Sequence, residues 1–211
     1  MIKYPPIKIN LGLNVLRKRE DGFHDLETLF LESGRFHDTL EIVTGDDYSR
    51  TMASLAARYG DRGGICDGDI PALAQGISEN GKLMITVARA EGVDWDVRKD
   101  LCAKAYALLD NDFKLPPAKI FLEKNSPVGA GLGGGSADAA YTLTMLNDIC
   151  SLGLSTEQLA GYAARLGSDC AFFIFGRPMF GEGRGEVLTP FELAVDIVDA
   201  GETARSGSRT G

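Results

Sequence analysis

The chain has 211 residues, 44% of them hydrophobic and 25% charged, with a formal net charge of −8. That balance argues against nucleic acid as a partner, because neutralising a phosphate backbone takes clustered Lys and Arg. It leaves room for a small phosphorylated ligand held by backbone amides and one or two local cations. No apolar run is long enough to span a membrane, and the N-terminus MIKYPPIKIN has no apolar core of a secretory signal. Cys66, Cys102, Cys150 and Cys170 form no CxxC pair and have only His24 and His37 to join them, so no metal site is expected. Reduced thiols in a cytoplasmic protein are the simpler reading.

Residues 7–16, IKINLGLNVL, alternate. Ile7, Ile9, Leu11, Leu13 and Val15 are expected on one face of a strand, with Lys8, Asn10 and Asn14 on the other. REDGFHDLETLF carries an Asp-Gly turn signal and a second apolar stretch. DTLEIV (38–43) is a short strand. From Thr44 to Gln75 the text is polar and Gly-rich, with a possible helix in SRTMASLAARYG and a loop in GDRGGICDGD. KLMITVA (82–88) returns to strand. RKDLCAKAYALL is a helix capped by Asp100, with Leu101, Ala105 and Leu108 at helical spacing. KIFLEKN (119–125) is a strand. Ser136 to Ile149 is a helix with Ala139, Leu143, Leu146 and Ile149 on one face. Ser155 and Gln158 form a capping box for TEQLAGYAARL, closed by Gly167. AFFIF and EVLTPF read as later strands. From about Ala194 the text is small, polar and unpatterned. Strands, then helices, with a crossover, give an α+β fold.

The most specific stretch is PVGAGLGGGSADAA, residues 127–140, with five glycines in fourteen residues between a strand and a helix. Glycines let a backbone approach a phosphate, and the helix opening at Ser136 offers free N–H groups and the positive end of its dipole. Gly129, Gly131 and Gly134 fit G-x-G-x-x-G, but a dinucleotide site needs a strand ending in an acid about 20 residues on. That region is the helix TEQLAGYAARL. A Walker A loop needs Gly-Lys-Ser/Thr, and the loop has no lysine. A turn without a ligand remains the bland alternative.

From Pro127 to Ala140 the segment resembles, without a gap, the phosphate-binding motif of the GHMP kinases, Pro-x-Gly-x-Gly-Leu-Gly-Gly-Gly-Ser-Ser/Ala-Asp/Asn-Ala-Ala. Two further stretches, PPIKINLGLNVLRKREDGFHDLETLF and LGSDCAFFIFGRPMFGEGRGEVLTP, are similar to the members that phosphorylate 4-diphosphocytidyl-2-C-methyl-D-erythritol, a CDP-linked sugar alcohol of the non-mevalonate isoprenoid route. The resemblance covers most of residues 1–193. It implies a two-layer, ribosomal S5-like N-terminal domain over 1–180, with 45–95 an insertion. It also implies an incomplete second domain and unpatterned tail over 181–211, in a chain truncated relative to the family. It implies ATP as phosphoryl donor, with Mg2+. Pro127, Val128, Gly129, Ala130, Gly131, Leu132, Gly133, Gly134, Gly135 and Ser136 would bind ATP. Asp169 would be the catalytic carboxylate, with Lys8 beside it. Asn10 would help hold the substrate. Phe23, where the family usually has Tyr, would stack on cytosine. His24 would hydrogen-bond the base, and Phe180 would close its other face.

The residue types suit the chemistry. Phosphoryl transfer needs neutralised phosphates, alignment, and a group to take the hydroxyl proton. Each residue alone has a blander reading. Lys8 could be solvated, His24 a surface residue, Asp169 an N-cap, and Asp138 a helix-dipole partner.

Overall fold

A computed structural model describes residues 1–45 and 70–192. The helix expected in SRTMASLAARYG, the loop GDRGGICDGD and the tail beyond Glu192 lie outside the described residues. The chain forms two sheets. The first is five-stranded, in the order β1 (Ile2–Lys3), β4 (Thr39–Thr44), β7 (Ala118–Lys124), β6 (Leu83–Arg89), β5 (Leu73–Ile77). The second is four-stranded, in the order β2 (Pro6–Lys18), β3 (His24–His37), β8 (Met179–Glu182), β9 (Val187–Pro190). Among the described residues four α-helices follow: α1 (Leu101–Phe113), α2 (Gly134–Ile149), α3 (Thr156–Ala164) and α4 (Cys170–Phe175). Strands β6 and β7 are parallel and α1 is their crossover. No helix among the described residues is long and apolar enough to cross a membrane.

The main core lies between the five-stranded sheet and the helices. Leu40, Ile42, Ile85, Val87, Ile120 and Leu122 of the sheet are buried with Tyr106, Leu109, Leu143 and Leu146 of α1 and α2. The Asp100 carboxylate caps α1, accepting from the Cys102 amide at 2.9 Å. The buried stripe of α1 runs through Cys102, Ala105, Tyr106 and Leu109. It is rotated from the expected one, because Tyr106 goes inside with its hydroxyl donating to the Pro116 carbonyl at 2.8 Å. The capping box of α3 is present, Ser155 Oγ accepting from the Gln158 amide and Gln158 accepting from the Ser155 amide.

Three expectations are corrected. AFFIF is the helix α4, not a strand. Its Ala171, Phe172 and Phe173 are all buried, and Gly176 ends it at φ 57° in the left-handed region. A five-residue apolar run carries no usable periodicity, and packing decides it. Phe172 and Phe173 fill the space beside Phe30, Ala137, Ala140 and Met179. Strands β5 and β8 lie where none was expected; each has a glycine inside it, Gly76 and Gly181, which weakens the pattern. Residues 70–95 contain β5 and β6, both strands of the five-stranded sheet.

The third correction concerns β2. Gly12 has φ 75°, and the register steps from Leu11↔Leu29 to Leu13↔Thr28. Two residues of β2 there answer one of β3, a bulge that uses the glycine's freedom at positive φ. The Thr28 hydroxyl holds it, donating to the Gly12 carbonyl at 2.6 Å. Because neighbouring residues of a strand face opposite ways, the extra residue moves Leu13 and Val15 off the face shared by Ile7, Ile9 and Leu11. They join the face of Lys8 and Asn10. Ile9, Leu11, Leu13 and Val15 are all exposed.

Candidate active site

The glycine loop leaves β7 after Lys124 and enters α2 at Gly134, two residues earlier than expected. Gly129, Gly131 and Gly133 have φ values of 75°, 74° and 70°, which only glycine takes without strain. Pro127 to Gly131 are exposed. The first helical hydrogen bond runs from the Ala137 amide to the Gly133 carbonyl at 2.9 Å. The amides of Gly134, Gly135 and Ser136 therefore have no carbonyl within the helix to bond, and they sit at the positive end of its dipole. The arrangement suits an oxyanion approaching from solvent.

Lys8 stands beside this loop. Its backbone amide donates to the Leu132 carbonyl at 2.8 Å, which ties β2 to the loop. Its side chain is buried, 6% exposed, with Nζ 3.3 Å from Asp169 Oδ2. Nζ also donates to Asn10 Oδ1 at 3.0 Å and lies 4.6 Å from the centre of the Phe30 ring. The solvated alternative for Lys8 is thus excluded by burial. Asp169 occupies the residue before α4, yet its side chain makes no capping hydrogen bond. It turns instead to Lys8, and its side chain remains 29% exposed. A buried cation holding a reachable carboxylate is the arrangement a general base needs. Next to Asp169 the Cys170 thiol is pushed up to about 11 by burial and shares a hydrogen bond with Ser136 at the start of α2.

The structure brings Lys8, Asn10, Asp169 and the loop 127–136 together. It does not bring Phe23 and His24 to them. Lys8 pairs with Glu32, whereas His24 pairs with Lys18 at the other end of the β2–β3 hairpin. That hairpin turn is held by Arg17 and Arg19, which pair with Asp25 at 2.6 and 2.8 Å. It bounds an open concavity of about 490 Å³ lined by Arg17, Lys18, Arg19, Glu20 and Asp21. Phe23 is 56% exposed, and the Arg184 guanidinium lies over its ring at 5.1 Å. His24 is exposed. Phe180 lies on β8 opposite Leu29, part way along the hairpin.

Under the loop lies a buried ionic cluster that no sequence motif marks, made by Asp38, Lys124, Ser126 and Asp138. Asp138 is wholly buried and paired with Lys124, so it is not a solvent-side dipole partner. The available signal was a lysine within the apolar strand KIFLEKN.

Among the described residues no group of three His, Cys, Asp or Glu stands together to hold a metal ion.

Residues 100–177 match the model of the GHMP kinases N terminal domain. The chain is 40% identical over 195 residues to the 4-diphosphocytidyl-2-C-methyl-D-erythritol kinase of Bacteroides fragilis, covering 92% of this chain and 59% of the relative. It is 40% identical over 193 residues to the kinase of the same name from Azobacteroides pseudotrichonymphae, covering 92% and 58%. A crystal structure of 4-(cytidine 5'-diphospho)-2C-methyl-D-erythritol kinase superposes with a TM-score of 0.62 at 30% identity, over 92% of this chain and 56% of that one. The mevalonate kinase of Methanococcus jannaschii shares the fold, with a TM-score of 0.55 at 12% identity, over 92% of this chain and 56% of that one. The chain thus spans less than two thirds of the length of these relatives.

Proposed function

We propose that this chain, whose residues 100–177 match the GHMP kinases N terminal domain, is the nucleotide-binding part of an ATP-dependent kinase. Its acceptor is the 2-hydroxyl of 4-diphosphocytidyl-2-C-methyl-D-erythritol, and its setting is cytoplasmic isoprenoid precursor synthesis. The observation that carries this reading is the Lys8–Asp169 pair at 3.3 Å, placed beside an exposed loop of free amides. The loop amides and the start of α2 would take the ATP phosphates. Lys8 would keep Asp169 ionised and add fixed positive charge next to the transferred group. Asp169 would accept the proton of the acceptor hydroxyl as its oxygen bonds to the γ-phosphorus and the bond to the ADP oxygen breaks. Bound Mg2+ would neutralise charge on the phosphates. Asn10, on the same face as Lys8, would orient the acceptor. Phe23, His24 and Phe180 would receive the cytidine end.

A second reading is favoured by the extent of the match, 59% of the Bacteroides fragilis relative. In it, this chain binds the nucleotide and does not turn over alone. The experiment that separates the two is equilibrium ATP binding combined with phosphoryl transfer from ATP to the CDP-linked alcohol. Binding with turnover supports the kinase reading for this chain. Binding without turnover supports the second. No ATP binding overturns both.

A further inference from the structure

Under the glycine loop lies a buried charged cluster that stands outside the proposed phosphate site. Asp38 sits between β3 and β4. Its Oδ1 accepts from the backbone amides of Asn125 and Ser126 at 2.7 and 2.8 Å. Its Oδ2 accepts from the Ser126 hydroxyl at 2.8 Å and from the Lys124 ammonium. Lys124 Nζ also donates to Asp138 Oδ2 at 2.6 Å. All four side chains are buried, and Asp138 Oδ1 has no hydrogen-bond partner. Two carboxylates face one ammonium. Burial alone would favour a neutral lysine, but the two acids hold Lys124 above its ordinary range, while burial pushes the Asp138 carboxyl well up.

Burying such a cluster is a poor route to stability, because desolvation cancels most of the Coulombic gain. Its connectivity is more informative. Lys124, Asn125 and Ser126 are the last residues before the loop, and Asp138 lies in α2 just after it. Asp38 and Lys124 therefore join the two ends of the segment 127–133. Gly134 lies directly on the cluster: a Cβ there would stand 2.5 Å from Ser126 Oγ and 3.4 Å from Lys124 Nζ.

We infer that Asp38, Lys124 and Asp138 are positioning residues for the glycine loop. They fix the distance between the end of β7 and the start of α2, and so hold the loop amides in an anion-accepting arrangement before a ligand arrives. The inference rests on the reading of this loop as a phosphate site. Three substitutions separate positioning from bulk stability. Asp38→Asn keeps the shape but presents a donor where Oδ2 accepts from Ser126 and Lys124. Asp138→Leu removes the acceptor for Lys124 while keeping the branched heavy-atom outline, at a larger volume. Asp138→Asn keeps an acceptor and removes the surplus negative charge, so it is the conservative rescue.

The test is native-state amide hydrogen exchange in the ligand-free chain, with equilibrium ATP binding alongside. The reporters are the Lys8 amide, bonded to Leu132, and the Ala137 amide, bonded to Gly133. In Asp38→Asn and Asp138→Leu both should exchange faster by on the order of tenfold, with protection in α1 and β6 unchanged. ATP affinity should fall by on the order of tenfold or more, as expected for displaced binding groups. Asp138→Asn should match the parent in both. Unchanged reporters, acceleration spread evenly over the chain, or equal damage from Asp138→Asn and Asp138→Leu would overturn the inference. If Asp38→Asn does not fold, the two Asp138 variants decide alone. If the parent binds no ATP, the nucleotide reading falls and the exchange measurement still decides the role of the cluster.

Discussion

The Lys8 amide donates to the Leu132 carbonyl at 2.8 Å, while the Lys8 ammonium lies 3.3 Å from Asp169. One residue thus binds the glycine loop through its backbone and the candidate base through its side chain. Lys8→Met keeps the backbone bond and removes the charge. In the kinase reading it should leave ATP affinity within a few fold and lower turnover by about 10²–10⁴, the range for loss of a positioned electrostatic or acid–base group. Single-turnover kinetics with saturating ATP measure this, and a loss confined to ATP affinity would assign Lys8 to binding alone.

The loop glycines are not equivalent. A Cβ on Gly133 would meet Lys8 Cγ at 3.0 Å and Phe173 at 3.2 Å, whereas a Cβ on Gly129 meets nothing within 4 Å. Both have positive φ. Gly129→Ala should cost only the strain of a left-handed residue, about 1–2 kcal/mol. Gly133→Val should add overpacking of about 1–3 kcal/mol and displace Lys8. Urea unfolding compared across the two variants tests the difference; equal losses would contradict it.

Glu32 lies opposite Lys8 in the register, yet its Oε1 is buried without a partner, and burial pushes its carboxyl up to about 7 from an ordinary 4.5. The folded state then holds this proton more tightly than the unfolded state does. The penalty is absent below about pH 4.5, grows as pH rises, and is complete above about pH 7. Glu32→Gln should match the parent in stability at pH 4. At pH 8 it should exceed the parent by on the order of 1–2 kcal/mol, discounted for residual solvent exposure. Parallel stability-versus-pH curves for the two proteins would contradict this.

Phe23 touches the Arg184 guanidinium and is more than half exposed. Phe23→Ala should therefore change stability by no more than about 0.5 kcal/mol, as for a surface site. If the ring stacks on cytosine, affinity for the CDP-linked alcohol should fall by about 1–3 kcal/mol, with ATP affinity unmoved. Calorimetric titration with each ligand distinguishes this from a uniform loss.

Much of the site was legible because its motifs are local. The glycine run, the N-cap Asp100 and the Ser155–Gln158 box each depend on a few consecutive residues. The pairing of Lys8 with Asp169 came only through the resemblance, since 161 positions separate them (169 − 8). What stayed hidden depends on packing or register. AFFIF is helical because Phe172 and Phe173 pack against α2 and β3. The faces of β2 change at Gly12; a glycine inside an alternating run is a bulge signal, but the register step itself is set by the pairing with β3. The Asp38–Lys124–Asp138 cluster unites three distant segments, and no periodicity marks it.

The central claim is that Asp169 takes the acceptor proton. It is tested by the rate of phosphoryl transfer from ATP to 4-diphosphocytidyl-2-C-methyl-D-erythritol, with and without Asp169→Asn, in this chain joined to the remaining part of the Bacteroides fragilis relative. The substitution should lower kcat by about 10²–10⁴ with a smaller effect on ATP binding. Turnover unchanged by Asp169→Asn in an active joined chain would contradict it.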